Sequence, residues 1–168
     1  MNLTIRSEAE ADLESIRQVN RLAFGQDAEG QLVDALRDGG FVRLSLVAEL
    51  DGQVVGHILF SDIRIISESD SVDALALAPM AVIPEQQREG IGSALIESGL
   101  DQCRQAGHRI VIVLGHPNYY PRFGFLPELA VPLQSQYAGE AFMALELVPG
   151  ALEGVTGEVR YSPPFEAV

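Results

Sequence analysis

Gln87-Arg88-Glu89-Gly90-Ile91-Gly92-Ser93 separates an apolar, strand-like run (Leu75 to Ile83) from a helix-like run (Gly92 to Gln105). A glycine-rich turn at a helix start leaves several backbone N–H groups without helical partners. It aims them at one point, at the positive end of the helix dipole. Such a place suits a phosphate or pyrophosphate.

Downstream of this turn, Ile91, Ala94, Leu95, Ile96, Leu100 and Cys103 form a broad apolar helical stripe that Gly107 ends. Arg109 to Leu114 (RIVIVL) then reads as a buried strand. Strand, crossover helix and strand make a βαβ unit, right-handed and parallel. Upstream, Thr4 to Arg6 reads as a strand and Ser7-x-x-Glu10 as a capping box. One helix follows to about Phe24, and a second from Glu29 to Arg37 stops at Gly39-Gly40. Leu44 to Leu50 and Gln53 to Ile66 form a hairpin through Asp51-Gly52, and Ser67 to Ser71 is a polar turn. The strand from Asp73 to Ile83 carries Pro79, which cannot donate to a ladder, so a bulge or lost pairing is expected there. After a proline-rich stretch to Gly139, a strand spans Ala141 to Val148, and the tail from Gly157 to Val168 adds an edge strand before Pro163-Pro164. The expected fold class is α/β of mixed α+β type. A central mixed, mostly antiparallel sheet holds one parallel pair, with helices on both faces. Residues 1–168 read as a single domain without internal repeats.

The apolar fraction of 47% and mean hydropathy of +0.14 describe a chain with a substantial core. The longest apolar run, Ala74 to Ile83, is about half of what a membrane span requires. No charged start followed by an apolar segment marks a secretory signal, so the cytoplasm is the expected location. With 24 acids against 11 bases the net charge is −13, which repels nucleic acid and acidic membrane surfaces and draws cationic amines. The same charge also serves solubility alone. Cys103, the single cysteine, excludes an internal disulfide and reads as a buried small hydrophobe. The three histidines lack metal-ligand spacing, so no metal is expected.

Three glycine-loop readings compete. A Walker loop needs Lys-Ser/Thr after its last glycine, where this chain has Ser93-Ala94. A dinucleotide fingerprint needs a third glycine or alanine where Leu95 stands, and an acid after the next strand, where Gly115 stands. The third reading fits. Gln87-x-x-Gly90-x-Gly92 resembles the acetyl-CoA pyrophosphate loop of the GNAT superfamily of N-acetyltransferases. Leu77 to Pro84 resembles that family's bulged fourth strand, and Tyr120-x-x-x-Gly124-Phe125 resembles its Tyr-x-x-x-Gly-Phe. The order of elements from Leu3 to Val148 matches as well. Gly115 to Phe125 is most similar to the YhbS-like bacterial branch. One departure is Pro121 directly after Tyr120, which implies a short or distorted helical turn under the tyrosine.

The resemblance implies the GNAT acyl-CoA N-acyltransferase fold with its parallel pair splayed, and acetyl transfer from acetyl-CoA, a cosubstrate, to a primary amine. A homodimer is common in the family. The pyrophosphate falls to Gln87, Arg88, Glu89, Gly90, Ile91, Gly92 and Ser93. The backbone of Met80, Ala81 and Val82 pairs with the pantetheine arm, and Asn118 anchors it. Glycines at 90 and 92 let the backbone approach, and Arg88 adds a charge-assisted contact, against the reading of an exposed loop arginine. Asn118 also reads as a turn residue. Tyr120, a phenol protonated at pH 7, is the general acid for the departing thiolate, against packing beside Phe123. The base stays open among Glu49, Asp62, His57, His116 and a water relay. A non-catalytic acyl-CoA sensor that kept the loop is the alternative function, and the acceptor has no transferable code in this sequence.

Overall fold

The computed structural model describes residues 2–167; Met1 and Val168, the ends of the expected single domain, lie outside the described residues. Contacts divide the chain into two compact units. The first holds the chain up to Ser61, Ala78–Gly99 and the segment from Pro163; the second holds Asp62–Leu77 and Leu100–Ser162.

The elements run β1 (Leu3–Ser7), α1 (Leu13–Phe24), α2 (Ala28–Asp38), β2 (Val42–Leu50), β3 (Gln53–Ile66), β4 (Ser71–Val82), α3 (Ile91–Gln105), β5 (Ile110–Leu114), α4 (Pro127–Ala130), β6 (Leu133–Gln134), β7 (Phe142–Glu146) and β8 (Gly157–Tyr161). The eight-stranded sheet has the order β1-β2-β3-β4-β5-β7, with β8 beside β3 and β6 beside β8. Its ladders are mainly antiparallel. The β4–β5 pair is parallel, and two-residue β6 runs parallel to β8.

In the first unit, β2 and β3 carry near-continuous buried runs, which requires cover on both faces. The alternation of side chains along β3 assigns the two covers. Leu59 joins Val47 in a cluster with Ile16, Leu32, Val33 and Leu36 of α1 and α2, and Phe165 packs against it. Gly56 and Phe60, on the opposite face, meet α3 at Leu95 and Gly99. Helices therefore lie on both faces, as expected. The capping box read at Ser7 is corrected. Ser7 ends β1, and the carboxylate of Asp12 accepts the Ala9 N–H at 2.6 Å. Asp12 also receives two hydrogen bonds from Arg6, at 2.7 and 3.0 Å, so the helix entry is fixed by a tethered aspartate three residues after Ala9.

In the second unit, β5 pairs with β7 over all five residues, but its ladder to β4 has only two rungs, Leu75–Val111 and Ala76–Ile112. It ends before Pro79, whose missing N–H gives the chain nothing to donate. The tail strand is corrected too. β8 is not an edge, because β3 pairs one side of it and β6 the other.

Gly99 is the tightest point of the α3 packing. A Cβ there would stand 2.5 Å from Cε1 of Phe60, which is fully buried. Alanine favours a helix over glycine by about 1 kcal/mol, yet overpacking a closed core costs about 1–3 kcal/mol. Gly99→Ala is expected to lower the urea unfolding free energy by about 1–2 kcal/mol, with Phe60→Leu in the same chain recovering most of the loss. A more stable Gly99→Ala protein would contradict this packing.

Candidate active site

In the first unit, the turn before α3 is built to expose amides. Arg88 and Gly90 both have left-handed backbones, φ 67° and 87°, with Glu89 between them. Alternation of this kind turns successive N–H groups to one side and makes an anion-binding nest. Glycine accepts that φ freely; a non-glycine residue there costs about 1–2 kcal/mol, so Arg88 is held against its preference. Among the described residues, no backbone carbonyl accepts from the N–H groups of Arg88, Glu89, Gly90, Ile91 or Gly92. The Ala94 amide is bonded to the Gly90 carbonyl at 3.0 Å. The loop is tethered at its base, where the side-chain amide of Gln87 donates to the Val82 carbonyl at 2.9 Å. Ile83 extends the sheet by donating to Val55. Met80, Ala81 and Val82 are thus joined to the loop in one unit, with the Ala81 and Val82 side chains buried. The Arg88 side chain is exposed.

In the second unit, the chain leaves β5 through Gly115-His116-Pro117-Asn118. The His116 carbonyl accepts from the amides of Tyr119 and Tyr120, at 3.1 and 3.2 Å. Tyr120 to Phe123 is a single 3-10 turn with Pro121 in its first positions, which is how the proline departs from an α-helix. Asn118 is exposed in the turn before it. The Tyr120 ring is wedged: it packs edge-on against Phe125 at 5.7 Å, and a Cβ on Gly115 would stand 2.3 Å from its Cε2. The residue is 8% exposed, and burial, with Tyr119 adding to it, pushes its phenol up to about 12. Among the described residues, the buried side-chain atoms without a hydrogen-bond partner are Asn20 Oδ1 and Ser61 Oγ.

The four base candidates stand apart in kind. Glu49 accepts from Arg6 at 3.0 Å within the Arg6–Asp12 cluster. Asp62 is half-buried on β3, and its carbonyl takes the Ser162 hydroxyl at 2.5 Å. His116 is exposed. His57 is fully buried, facing α1 and α2, and desolvation lowers its pKa to about 4. Its tautomer follows from its neighbours. Ser45 donates its hydroxyl to Glu8, so its oxygen accepts from His57 Nε2 at 3.0 Å. Asn20, which gives one amide proton to the Ile16 carbonyl at 2.9 Å, offers the other to Nδ1 at 3.4 Å. A neutral imidazole satisfies every one of these contacts. Cys103 is likewise buried, its thiol pushed up to about 12 by desolvation, as a core residue should be. No group of three or more metal-ligating side chains occurs among the described residues, and no helix there is long and apolar enough to cross a membrane.

The family model for the acetyltransferase (GNAT) domain matches residues 4–127. The chain belongs to the GNAT acetyltransferase family. Among GNAT relatives, the uncharacterized N-acetyltransferase YjhQ of Escherichia coli K12 is 43% identical over 98% of this chain and 95% of its own. YhbS of the same strain is 38% identical over 97% and 98%. The crystal structure of E. coli YhbS in complex with CoA covers 99% of this chain and 93% of that one, with a TM-score of 0.91. A GNAT acetyltransferase of Brucella melitensis, crystallised with acetyl-CoA, is 39% identical over 98% of both chains, with a TM-score of 0.81. The YhbS-like resemblance and the GNAT fold are therefore correct.

The loop residues 87–93 and Met80 to Val82 sit together in one GNAT unit, and Asn118 and Tyr120 in the other. Sequence reasoning missed two groups. Gly115 positions Tyr120, and the only signal for it is a glycine between a buried strand and His116-Pro117. The Glu8–Ser45–His57–Asn20 chain has no sequence signal, because its members come from four separate segments.

His57 makes stability depend on pH. Its folded pKa, about 4, lies below the ordinary value of 6.5, so the unfolded chain binds the extra proton first. Stability from this group is complete above pH 6.5 and is lost as pH falls toward 4, by about 2–3 kcal/mol between pH 6.5 and 4.5. Urea unfolding at those two pH values should show that loss in the native protein and a flatter response in His57→Gln. An equal slope in both would contradict the assignment.

Proposed function

We propose that this GNAT acetyltransferase moves the acetyl group of acetyl-CoA to a primary amine. The observation that carries the reading is the set of amides from Arg88 to Gly92, at the head of α3, from which no backbone carbonyl of the described residues accepts. Arg88, Glu89 and Gly90 are exposed, so an incoming ligand can reach their amides, and a diphosphate offers acceptors to several at once. The CoA and acetyl-CoA complexes of relatives similar over nearly the whole chain support the same ligand. Gln87, Arg88, Glu89, Gly90, Ile91, Gly92 and Ser93 take the pyrophosphate. Met80, Ala81 and Val82 offer backbone groups to the pantetheine arm, and Asn118 a side-chain amide.

Tyr120 is proposed as the acid. The amine nitrogen attacks the thioester carbonyl carbon, the C–S bond breaks, and the phenol gives its proton to the sulfur. Solvent takes the protons lost by the nitrogen and restores the one on the phenol. A phenol at about 12 is a weak acid against an ordinary thiol near 8.5. Desolvation works on both partners, however. Burial disfavours a thiolate as it disfavours a phenolate, so a thiolate released beside this buried ring gains affinity for the proton.

Tyr120→Phe removes the hydroxyl and keeps the ring that Gly115 and Phe125 hold. It should lower kcat for thiol release about 10²-fold or more while CoA affinity by calorimetry changes less than threefold. Parallel loss of CoA binding, or an unchanged kcat, would refute the acid role. CoA binding by the native protein with no thiol release from any amine would support a sensor instead.

A further inference from the structure

The second unit holds a cavity of about 370 Å³ that the loop and the phenol do not account for. Its walls are apolar: Pro127, Val131, Leu133, Ala138 and Phe142 contribute to them. Glu140 is its one charged lining residue. The volume is that of a small-molecule site, and a mostly apolar wall with a single carboxylate is the chemistry of an amphipathic cation. Val131 is 79% exposed on this wall, an aliphatic side chain that the fold itself leaves uncovered. The net charge of −13 favours a cation here as well.

Sequence and strand register link the cavity wall to the two supports of the Tyr120 ring within the unit. Phe142 pairs with Leu114 at the end of β5, and the next amide, Gly115, donates to the Ala141 carbonyl at 2.9 Å. Gly115 is the residue on which the Tyr120 ring lies. On the other side, Tyr120 packs on Phe125, and two residues later Pro127 enters the cavity wall. The wall thus starts within two residues of each of the ring's two supports.

We infer that this cavity receives the acceptor and that the acceptor is a monocationic primary amine with an apolar aliphatic or aromatic body. The body lies against Val131 and Phe142, and Glu140 draws the ammonium. The inference rests on the acetyl-transfer reading and on Tyr120 as its acid, and it names what that reading leaves open. A polycation such as spermidine finds one carboxylate and no second polar anchor among the lining residues. The bond changes are those given above: N–C forms, C–S breaks, the sulfur gains the Tyr120 proton, and one net proton reaches solvent per ammonium consumed.

The test has a binding arm and a turnover arm. Phenethylamine and spermidine are titrated against the protein alone by calorimetry, then compared in a thiol-release assay at saturating acetyl-CoA. The sequence contains no lysine, so the protein offers no side-chain amine to compete. Phenethylamine is expected to bind saturably and to show kcat/KM at least tenfold above spermidine. Val131→Asp, a change at an exposed position, should raise its KM at least tenfold and leave CoA affinity unchanged. Glu140→Gln should raise KM severalfold with little change in kcat. Turnover that prefers spermidine, or that ignores both substitutions, overturns the cavity assignment and leaves acetyl transfer intact. Binding of phenethylamine that Val131→Asp abolishes, without thiol release, keeps the cavity as an amine site and overturns the transfer reading.

Discussion

Everything proposed for this molecule depends on amides that meet no backbone carbonyl among the described residues. Between the Ile83 amide, which still belongs to the sheet, and the Ala94 amide, which already belongs to the helix, the N–H groups of Arg88 to Gly92 have no carbonyl among the described residues. The fold sustains this rather than relaxing it away. The Gln87 side chain ties the loop to the end of β4, and the packing of α3 on β3 at Gly56 and Gly99 keeps the helix start in place. Arg88 pays for the geometry with a left-handed backbone. In the proposed complex, a strand and a helix present the donors, so that a diphosphate would meet them with little reorganisation.

Two buried tunings in the protein have different purposes. Desolvation raises Tyr120, the proposed acid, whose ring is held by Gly115 and Phe125. Desolvation lowers His57, but Ser45 and Asn20 saturate both ring nitrogens. A base must present a free lone pair to substrate, and His57 has none to present. Its role is to hold β2 and β3 to α1 through a neutral hydrogen-bond chain, with Glu8 and Arg37 paired at the chain's outer end, 2.9 Å apart.

The fold was largely legible in the sequence because local chemistry and tertiary demand agree along most of it. Asp51-Gly52 is a strong hairpin-turn signal, Ile110 to Val113 within RIVIVL are buried as their apolar run implies, and the glycines flanking Ile91 mark the helix start. Reading failed where partners are distant. Ser7-x-x-Glu10 has the spacing of a capping box, but β1 pairs with β2 through Ser7, so Asp12 took over the entry. The tail strand carries the composition of an edge, and nothing local announces that two-residue β6 will pair with it. The candidate site divides the same way. Its loop and tyrosine are contiguous motifs, whereas Gly115 under the ring and Phe142 in the cavity wall are placed by the pairing of β5 with β7 and the Gly115–Ala141 hydrogen bond beside it.

The central claim is most directly tested by following the backbone amides of Arg88 to Gly92 in ¹⁵N-resolved NMR while CoA, and separately pantetheine, is added. Diphosphate capture predicts downfield shifts of these amide protons with CoA and none of comparable size with pantetheine. CoA that binds without moving them, or pantetheine that moves them equally, would contradict it.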